Sequence, residues 1–406
     1  HDSTPKLNPE TDDYKRWIVE EKKQDLKKLF EPVNNFCCDG VPEEFHQTTW
    51  CTEMAIKFIN KKRKGPWMLS INPFDPHPPF DPPKEYRMRY NPDDIPGPLF
   101  KLNDIERQKK FQEVCQQAVD AVNPDGENPL PPAEGGYKNP GNWPPESFNG
   151  KIVKAHYYAM IELIDKHFGI LVNHLKEIGQ LENTLIIFTS DNGGIRAISN
   201  QFPLKAGKGS YYEGGIRVPL IFSWKGKLEA GKKSFERVSN IDFYPTIKKI
   251  IGHENKNLKL DGLDLNPIFN GKKLKDRSLF FHFPVYLEAY NVQKDDGKDP
   301  LFRTRPGSVI IKGDWKLHHY FEDNELELYN LSEDVSESKD LSKINEEITN
   351  RLYDDLENWR SDNNAPIPSE KNPKYNQKFV DSLIFLINQN KLSGRLKNNL
   401  LRNLNN

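Results

Sequence analysis

The sequence predicts an α/β fold. A mostly parallel central sheet is expected, flanked by helices, with a small C-terminal α+β subdomain that carries a short antiparallel sheet. Three observations predict it. In Thr184–Gly194, TLIIFTSDNGG, the run Leu185–Thr189 is wholly apolar or β-branched and bounded by polar residues. Such a run reads as a strand buried on both faces, the habit of parallel sheets. Just before it, Lys151–Ile178 places Tyr157, Met160, Ile161, Ile164, Phe168, Leu171, Leu175 and Ile178 at helical spacings, and Gly179 stops the pattern. Helix, short turn and buried strand are α/β architecture. From about Ser278 the texture changes to short alternating strands followed by a helix, which is α+β. A chain of 406 residues exceeds one core. The expected divisions are 1–275, 276–370, and a tail, 371–406, rich in Asn, Lys and Leu.

Bulk composition narrows the function classes. Lys and Arg number 58 against 59 Asp and Glu, a balance in which nothing suggests a global nucleic-acid or membrane-surface binder. Mean hydropathy is −0.78, and no apolar run approaches the roughly 18 residues of a membrane span. The four cysteines, Cys37, Cys38, Cys51 and Cys115, have no paired metal spacing. A disulfide from Cys37 or Cys38 to Cys51 and a reduced state both stay open, and with them the redox compartment. The first residue is His1, and no signal peptide is visible.

In chain order, residues 12–31 read as a Lys- and Glu-rich surface helix stopped by Pro32. Thr52–Lys64 reads as a second helix whose basic run, Lys61-Lys62-Arg63-Lys64, suits a helix C-terminus. Trp67–Ile71 is expected to be a short strand. It runs into NPFDPHPPFDPP, residues 72–83, where six prolines in twelve residues forbid both helix and sheet interior. His77 is thereby held in a stiff extended loop, which is useful where a side chain must be aimed. A helix is expected over Asn103–Val122. The Pro- and Gly-rich stretch 123–150 then reads as a loop that could rim a substrate site.

Beyond the central strand, Gly207 and Gly209 flank Lys208. The backbone there can bend around an anion that the ammonium then reaches. Val218–Ser223 reads as a strand, and Asn240–Ile251 as a helix with Pro245 in its first turn. Ser308–Ile311, Trp315–Tyr320 and Glu325–Tyr329 read as strands, and Glu346–Trp359 as a helix. Ligands of open α/β sheets sit beyond the carboxyl ends of the strands. Asp191 and Asn192 stand there, followed by glycines that let the backbone turn. They are hard oxygen donors of the kind Ca²⁺ or Mg²⁺ takes. On this stretch alone, a metal site and a strand-capping Asx turn are both open.

Four stretches resemble, in order, the motifs of the type I, formylglycine-dependent sulfatases of the alkaline phosphatase superfamily. PHPPF, 76–80, resembles PHxPF. YYAMIELID, 157–165, followed by NTLIIFTSDNG, 183–193, looks like that family's helix and metal-binding strand. GKGSYYEGGIRVP, 207–219, resembles GKGxxxEGGxRVP. GDWKL, 313–317, with ELYNL, 327–331, is similar to its C-terminal subdomain. The resemblance covers roughly Thr52–Pro366 and implies an alkaline phosphatase/sulfatase-like fold. It assigns Asp191 and Asn192 to a divalent cation, Ca²⁺ or Mg²⁺, and His77 and Lys208 to the substrate sulfate. That chemistry suits these residues: a sulfate ester needs its spreading negative charge met by preorganised cations and donors. Lys208 brings one positive charge, a metal another, and His77 can donate a hydrogen bond or assist the leaving oxygen. Glu213 and Arg217 are expected to be scaffold, as an ion pair or turn anchor. Tyr211 and Tyr212 suit the pocket and the core equally. His156 and His167 are expected to be structural, and His282, His318 and His319 are weaker candidates for a cleft rim.

The family's nucleophile lies in C/S-x-P-x-R. None of CCDGV, CDGVP, CTEMA or CQQAV fits, and Ser3-Thr4-Pro5-Lys6-Leu7 lacks the Arg. The family's paired N-terminal aspartates and its Lys-Trp-His element are also absent. The resemblance therefore implies a lost N-terminal segment of roughly a hundred residues or more. That segment would supply formylglycine, and it would exist as a companion polypeptide if the chain was cleaved. A cation at Asp191 is then expected to be weak or water-ligated. The function expected is a sulfuric ester hydrolase acting on a sulfated small molecule or oligosaccharide, outside the cytoplasm by family resemblance. The alternatives are a phosphoester or phosphonate hydrolase of the same superfamily, whose members more often carry a His after the strand Asp, and a noncatalytic sulfated-glycan-binding remnant.

Overall fold

The computed structural model describes residues 9–30, 38–95, 150–194, 199, 201–253, 258–288 and 302–370, with 378, 381, 382 and 385. The expected helix at Asn103–Val122, nearly all of the loop 123–150, and most of the tail lie outside the described residues.

The N-terminal part is helical. Helix α1, Asp13–Glu20, is followed by a one-turn helix α2, Leu26–Leu29, and then by α3, Gln47–Ile59. The single helix expected over 12–31 is thus two. Lys23 between them takes a left-handed φ of 57°, and the Asp25 carboxylate caps the second by accepting from Lys27 N. Tyr14, Trp17, Ile18 and Leu26 form one small core with Phe45, Trp50 and Met54. Helix α3 starts earlier than expected because His46 caps it, its Nδ1 accepting from Thr48 N. It ends at Ile59, so the basic run lies past the helix. There the Arg63 guanidinium turns back over the Phe58 ring at 3.9 Å and donates to carbonyls of the last turn.

After the one-turn helix α4, Lys84–Arg87, the long α5, Gly150–Glu177, is the axis of this half. Gly179, at φ 69°, ends its run as the sequence predicts. Its buried side chains Val153 and Met160 pack on Phe80, and Ala159 and Leu163 on Tyr86.

Strand β1, Ile186–Thr189, follows, and beyond the one-turn helix α6, Glu213–Ile216, it pairs with β2, Leu220–Ser223. The pairing is antiparallel, with Ile186 opposite Ser223 and Thr189 opposite Leu220. The parallel central sheet is therefore not seen among the described residues. Nor is β1 buried on both faces: Phe188 is 40% exposed and Ile221 on β2 is 58% exposed. Trp67–Ile71, expected as a strand, is not one: no ladder forms there among the described residues. An apolar run reports burial potential, and whether a strand is sandwiched depends on partners the run does not encode.

Helices α7, Phe243–Ile250, and α8, Asn266–Phe269, pack on the inner side of β2 through Phe222, whose ring lies 5.9 Å from Phe243 and 5.2 Å from Phe269. Strand β3, Ser278–Phe283, precedes a small pair, β4, Leu287–Glu288, and β5, Phe302–Thr304. Strands β6, Gly307–Lys312, β7, Trp315–Tyr320, and β8, Glu325–Asn330, complete an antiparallel sheet in the order β3-β6-β7-β8. This is the C-terminal antiparallel sheet the alternating strands predict. Ile310, Leu317 and Leu328 stand opposite one another and face α9, Glu346–Asp362, through Leu352 and Leu356. The next row, Ile311, Lys316 and Tyr329, together with Val309, His318 and Glu327, belongs to the opposite face. That face packs on Tyr211, Tyr212 and Ala206. No helix of the described residues is long and apolar enough to cross a membrane.

Candidate functional site

Two glycine-rich loops interlock at the end of β1. Gly193 N donates to Gly215 O at 2.9 Å, and Lys208 N donates to Gly194 O at 3.0 Å. A Cβ on Gly193 would fall 1.8 Å from Gly214 O, and one on Gly215 would fall 2.3 Å from Ser210 O. The glycines are there because the two backbones touch. Asp191, Asn192 and Lys208 are thereby brought to one place. Lys208 sits between Ala206 at φ 56° and Gly209 at φ 84°, a tight left-handed bracket in the backbone.

Asp191 is exposed, and its Oδ1 accepts from Asn192 N at 2.9 Å. The Asn192 amide nitrogen donates to Gly193 O at 2.9 Å. These local bonds and the ligand reading therefore coexist: one Asp191 oxygen and the Asn192 amide oxygen keep lone pairs for a cation. Two donors fit part of a calcium shell, which takes about 6–8 oxygens. Among the described residues, no group of three or more His, Cys, Asp or Glu side chains could hold a metal ion.

His77 stands on a separate loop, exposed to solvent. Its backbone N–H donates to Phe74 O at 3.0 Å, and its ring lies 4.7 Å from the Phe74 ring. This loop reaches the other two through packing. Phe80 meets Tyr157 of α5 edge-on at 6.1 Å, Tyr157 hydrogen-bonds Ser199, and Ser199 lies against Gly194.

Sequence reasoning missed a buried polar layer under His77. Asp75 accepts the Thr48 hydroxyl at 2.6 Å and lies 3.7 Å from His46 Nδ1. Burial pushes the Asp75 carboxyl up to about 6 and the Asp81 carboxyl also up to about 6. The pattern DPHPPFD, with acids on both sides of His77, was the available signal.

The second supporting layer was half read. Glu213 is the ion-pair anchor expected. Its Oε1 lies 3.1 Å from Lys316 Nζ, and its N–H donates to Glu337 Oε2 at 2.6 Å. Glu337 also takes Lys316 Nζ at 2.8 Å and lies 3.3 Å from His318 Nε2. Burial pushes the Glu337 carboxyl up, but Lys316 and His318 beside it bring the balance below the usual carboxylate value. Tyr211 and Tyr212 are core: the Tyr212 hydroxyl donates to Glu327 at 2.8 Å, and Lys205 Nζ lies 4.1 Å from its ring. His318 and His319 are buried and belong to the sheet, and His282 bridges Ser308 and Pro366 O. His156 bonds Ile152 O, and His167 bonds Thr49 and Thr52, so both are structural. Cys38 and Cys51 are free thiols, which removes the Cys38–Cys51 bridge.

A family model described as Sulfatase matches residues 7–253. The chain belongs to the sulfatase family. A second model, described as N-sulphoglucosamine sulphohydrolase, C-terminal, matches residues 207–362. The overlap of the two spans the loop of Lys208 and its buried anchor. The chain is 34% identical over 246 residues, 54% of its own length and 42% of the relative's, to a sulfatase of Formosa agariphila. It is 30% identical over 190 residues, 46% of its own length and 31% of the relative's, to an N-acetylglucosamine-6-O-sulfatase of Bacteroides thetaiotaomicron. This sulfatase chain spans about half the length of the curated relatives it matches. Its fold resembles that of a protein solved in complex with its substrate D-glucosamine-2-N,6-O-disulfate, at a TM-score of 0.59 and 21% identity, over 80% of this chain and 72% of the other. It also resembles that of a phosphonate monoester hydrolase from Silicibacter pomeroyi, at a TM-score of 0.60 and 20% identity, over 88% and 70%.

Proposed function

We propose that the chain carries the sulfate- and cation-facing part of a sulfuric ester hydrolase acting on a sulfated carbohydrate. The observation that supports this reading is the backbone interlock of the Asp191–Gly194 and Gly207–Gly215 loops, through Gly193 N to Gly215 O and Lys208 N to Gly194 O. Lys208 binds the anionic sulfate oxygens. His77 donates to the ester oxygen or to a sulfate oxygen. Asp191 and Asn192 hold Ca²⁺ or Mg²⁺, which when bound supplies positive charge toward the sulfate. The nucleophile in this reading is the family's formylglycine.

The carbohydrate rests on two similarities: an N-acetylglucosamine-6-O-sulfatase among the relatives, and a glucosamine disulfate bound by a protein of like fold. We place the reaction outside the cytoplasm on the family resemblance alone. We divide the chain into an α/β part over 1–275 and an α+β part over 276–370, with a tail over 371–406. The test is calorimetric binding of glucosamine 6-sulfate, with sulfate release measured alongside. A charge-assisted contact is worth about 1.5–3 kcal/mol. Lys208→Ala should therefore weaken binding roughly ten- to hundredfold. Binding that is unchanged in Lys208→Ala defeats the reading.

A further inference from the structure

Beneath His77 lies a polar layer that the proposed chemistry leaves unused. Asp75 is 8% exposed, and among the described residues its hydrogen-bond donor is the Thr48 hydroxyl, at 2.6 Å. His46 Nδ1, 3.7 Å from the carboxylate, is already the acceptor for Thr48 N at 3.2 Å. That nitrogen therefore carries no proton for Asp75. Asp81, on the far side of His77 in sequence, acts on the same imidazole through its backbone and its charge. The other groups facing the layer are Tyr14 from α1, Cys51 from α3, Cys38 and Asp39 beside Asp81, and Glu43 and Glu85 near His46.

Helix capping does not require this layer. Thr48 N is satisfied by His46, and the Thr48 hydroxyl could turn to a backbone carbonyl. A buried carboxyl with one neutral donor is costly, and such groups concentrate where function retains them. Asp75 also belongs to the turn that ends in His77, closed by His77 N–H to Phe74 O and by the Phe74–His77 ring contact. The Thr48 bond is thus the polar tether between that turn and the start of α3.

We propose that Asp75 is a positioning residue for His77, its tether to Thr48 fixing the turn on α3 so that gain or loss of the Asp75 proton changes the pose of His77. The substrate consequence rests on the reading of His77 as a sulfate contact; the coupling between Asp75 and His77 does not. Burial pushes both Asp75 and Asp81 up to about 6, so the pair exchanges a proton within the ordinary working range.

The test follows the His77 ring by NMR between about pH 5 and 8 in the whole protein, a range that brackets the buried pair. Wild type and Thr48→Ser should show a step near 6, the range of that pair. Asp75→Asn and Thr48→Val should lose that step. Calorimetric binding of glucosamine 6-sulfate should weaken about tenfold in Asp75→Asn, the scale of one misplaced hydrogen bond to a charged group. Superimposable His77 curves in wild type and Asp75→Asn overturn the proposal, whatever the binding. If the step is present but His77→Ala binds the sulfated sugar like wild type, the coupling is supported and the assignment of His77 to sulfate is overturned.

Discussion

Lys316 Nζ lies 3.1 Å from Glu213 Oε1, and the lysine is completely buried. The two residues lie 103 positions apart in the chain. Glu213 opens the one-turn helix behind the Lys208 loop, and Lys316 stands in the middle of the C-terminal sheet. Glu337 closes the arrangement by binding the lysine ammonium with one oxygen and the Glu213 N–H with the other. The C-terminal sheet thus serves as the wall against which the Lys208 loop is set.

Removal of the lysine is the direct test of that wall. Lys316→Met fits the volume but leaves Glu213 and Glu337 buried without their cation. Breaking one partner of a buried pair costs about 3–5 kcal/mol. The urea midpoint should fall accordingly, and the double variant with Glu213→Gln should recover part of the loss. Equal midpoints for wild type and Lys316→Met would show the triad to be energetically idle.

The interlocked glycines give a second prediction. Gly193→Ala places a methyl 1.8 Å from Gly214 O, where backbone must move. Overpacking of this kind costs about 1–3 kcal/mol. Sulfated-sugar binding should weaken with it, because Lys208 N hangs on the neighbouring Gly194 carbonyl. Gly179→Ala makes the contrast. Its site has open space but a φ of 69°, so it should cost stability through backbone strain while binding stays at the wild-type level.

Stability should depend on pH through Asp75. Its carboxyl pKa is raised from 3.8 to about 6 by burial. The folded state therefore binds a proton more tightly than the unfolded state does. Stability is highest below the unfolded value near 4 and falls as pH rises through about 6. Asp75→Asn keeps the acceptor for Thr48 without the charge. It should raise the melting temperature at pH near 7.5 and leave it unchanged near pH 3, below the unfolded value, with a ceiling of roughly 3 kcal/mol for a shift of about two units. A variant that is destabilised equally at both values would place the cost in the hydrogen bond and not in the charge.

Calcium should stabilise through Asp191. Ligand that binds only the folded state raises stability by mass action. Thermal unfolding with added Ca²⁺ and then with chelator should differ for wild type and not for Asp191→Ala. Because Asp191 is exposed, the variant in chelator should melt with wild type in chelator. A calcium response that survives in Asp191→Ala would move the cation elsewhere.

Much of this molecule was legible in its residues. The boundary of α5 at Gly179, the C-terminal strands and the turn at Gly209 follow from periodicity and from glycine's freedom at positive φ, which are local properties, whereas the other left-handed residue of that loop is Ala206 and not the Gly207 that the sequence suggested. The motif stretches located three of the four site residues on what proved to be one pair of loops. Of the alternatives posed at Asp191, the strand-capping Asx turn is not the bond observed: Asp191 Oδ1 accepts from Asn192 N, one residue on and not two.

By itself, then, the sequence determined the long helix α5, the helix α9 and the antiparallel C-terminal sheet, each set by neighbours within a few residues, while its candidate site side chains rested on a family resemblance. Only the tertiary structure decided the antiparallel pairing of β1 with β2, the break between α1 and α2, the burial of His318 and His319, and the two polar layers that support His77 and Lys208. These depend on which distant groups share a low-dielectric space. Asp75 acquires its meaning from Thr48 and Lys316 from Glu213, and no local pattern records such a pairing.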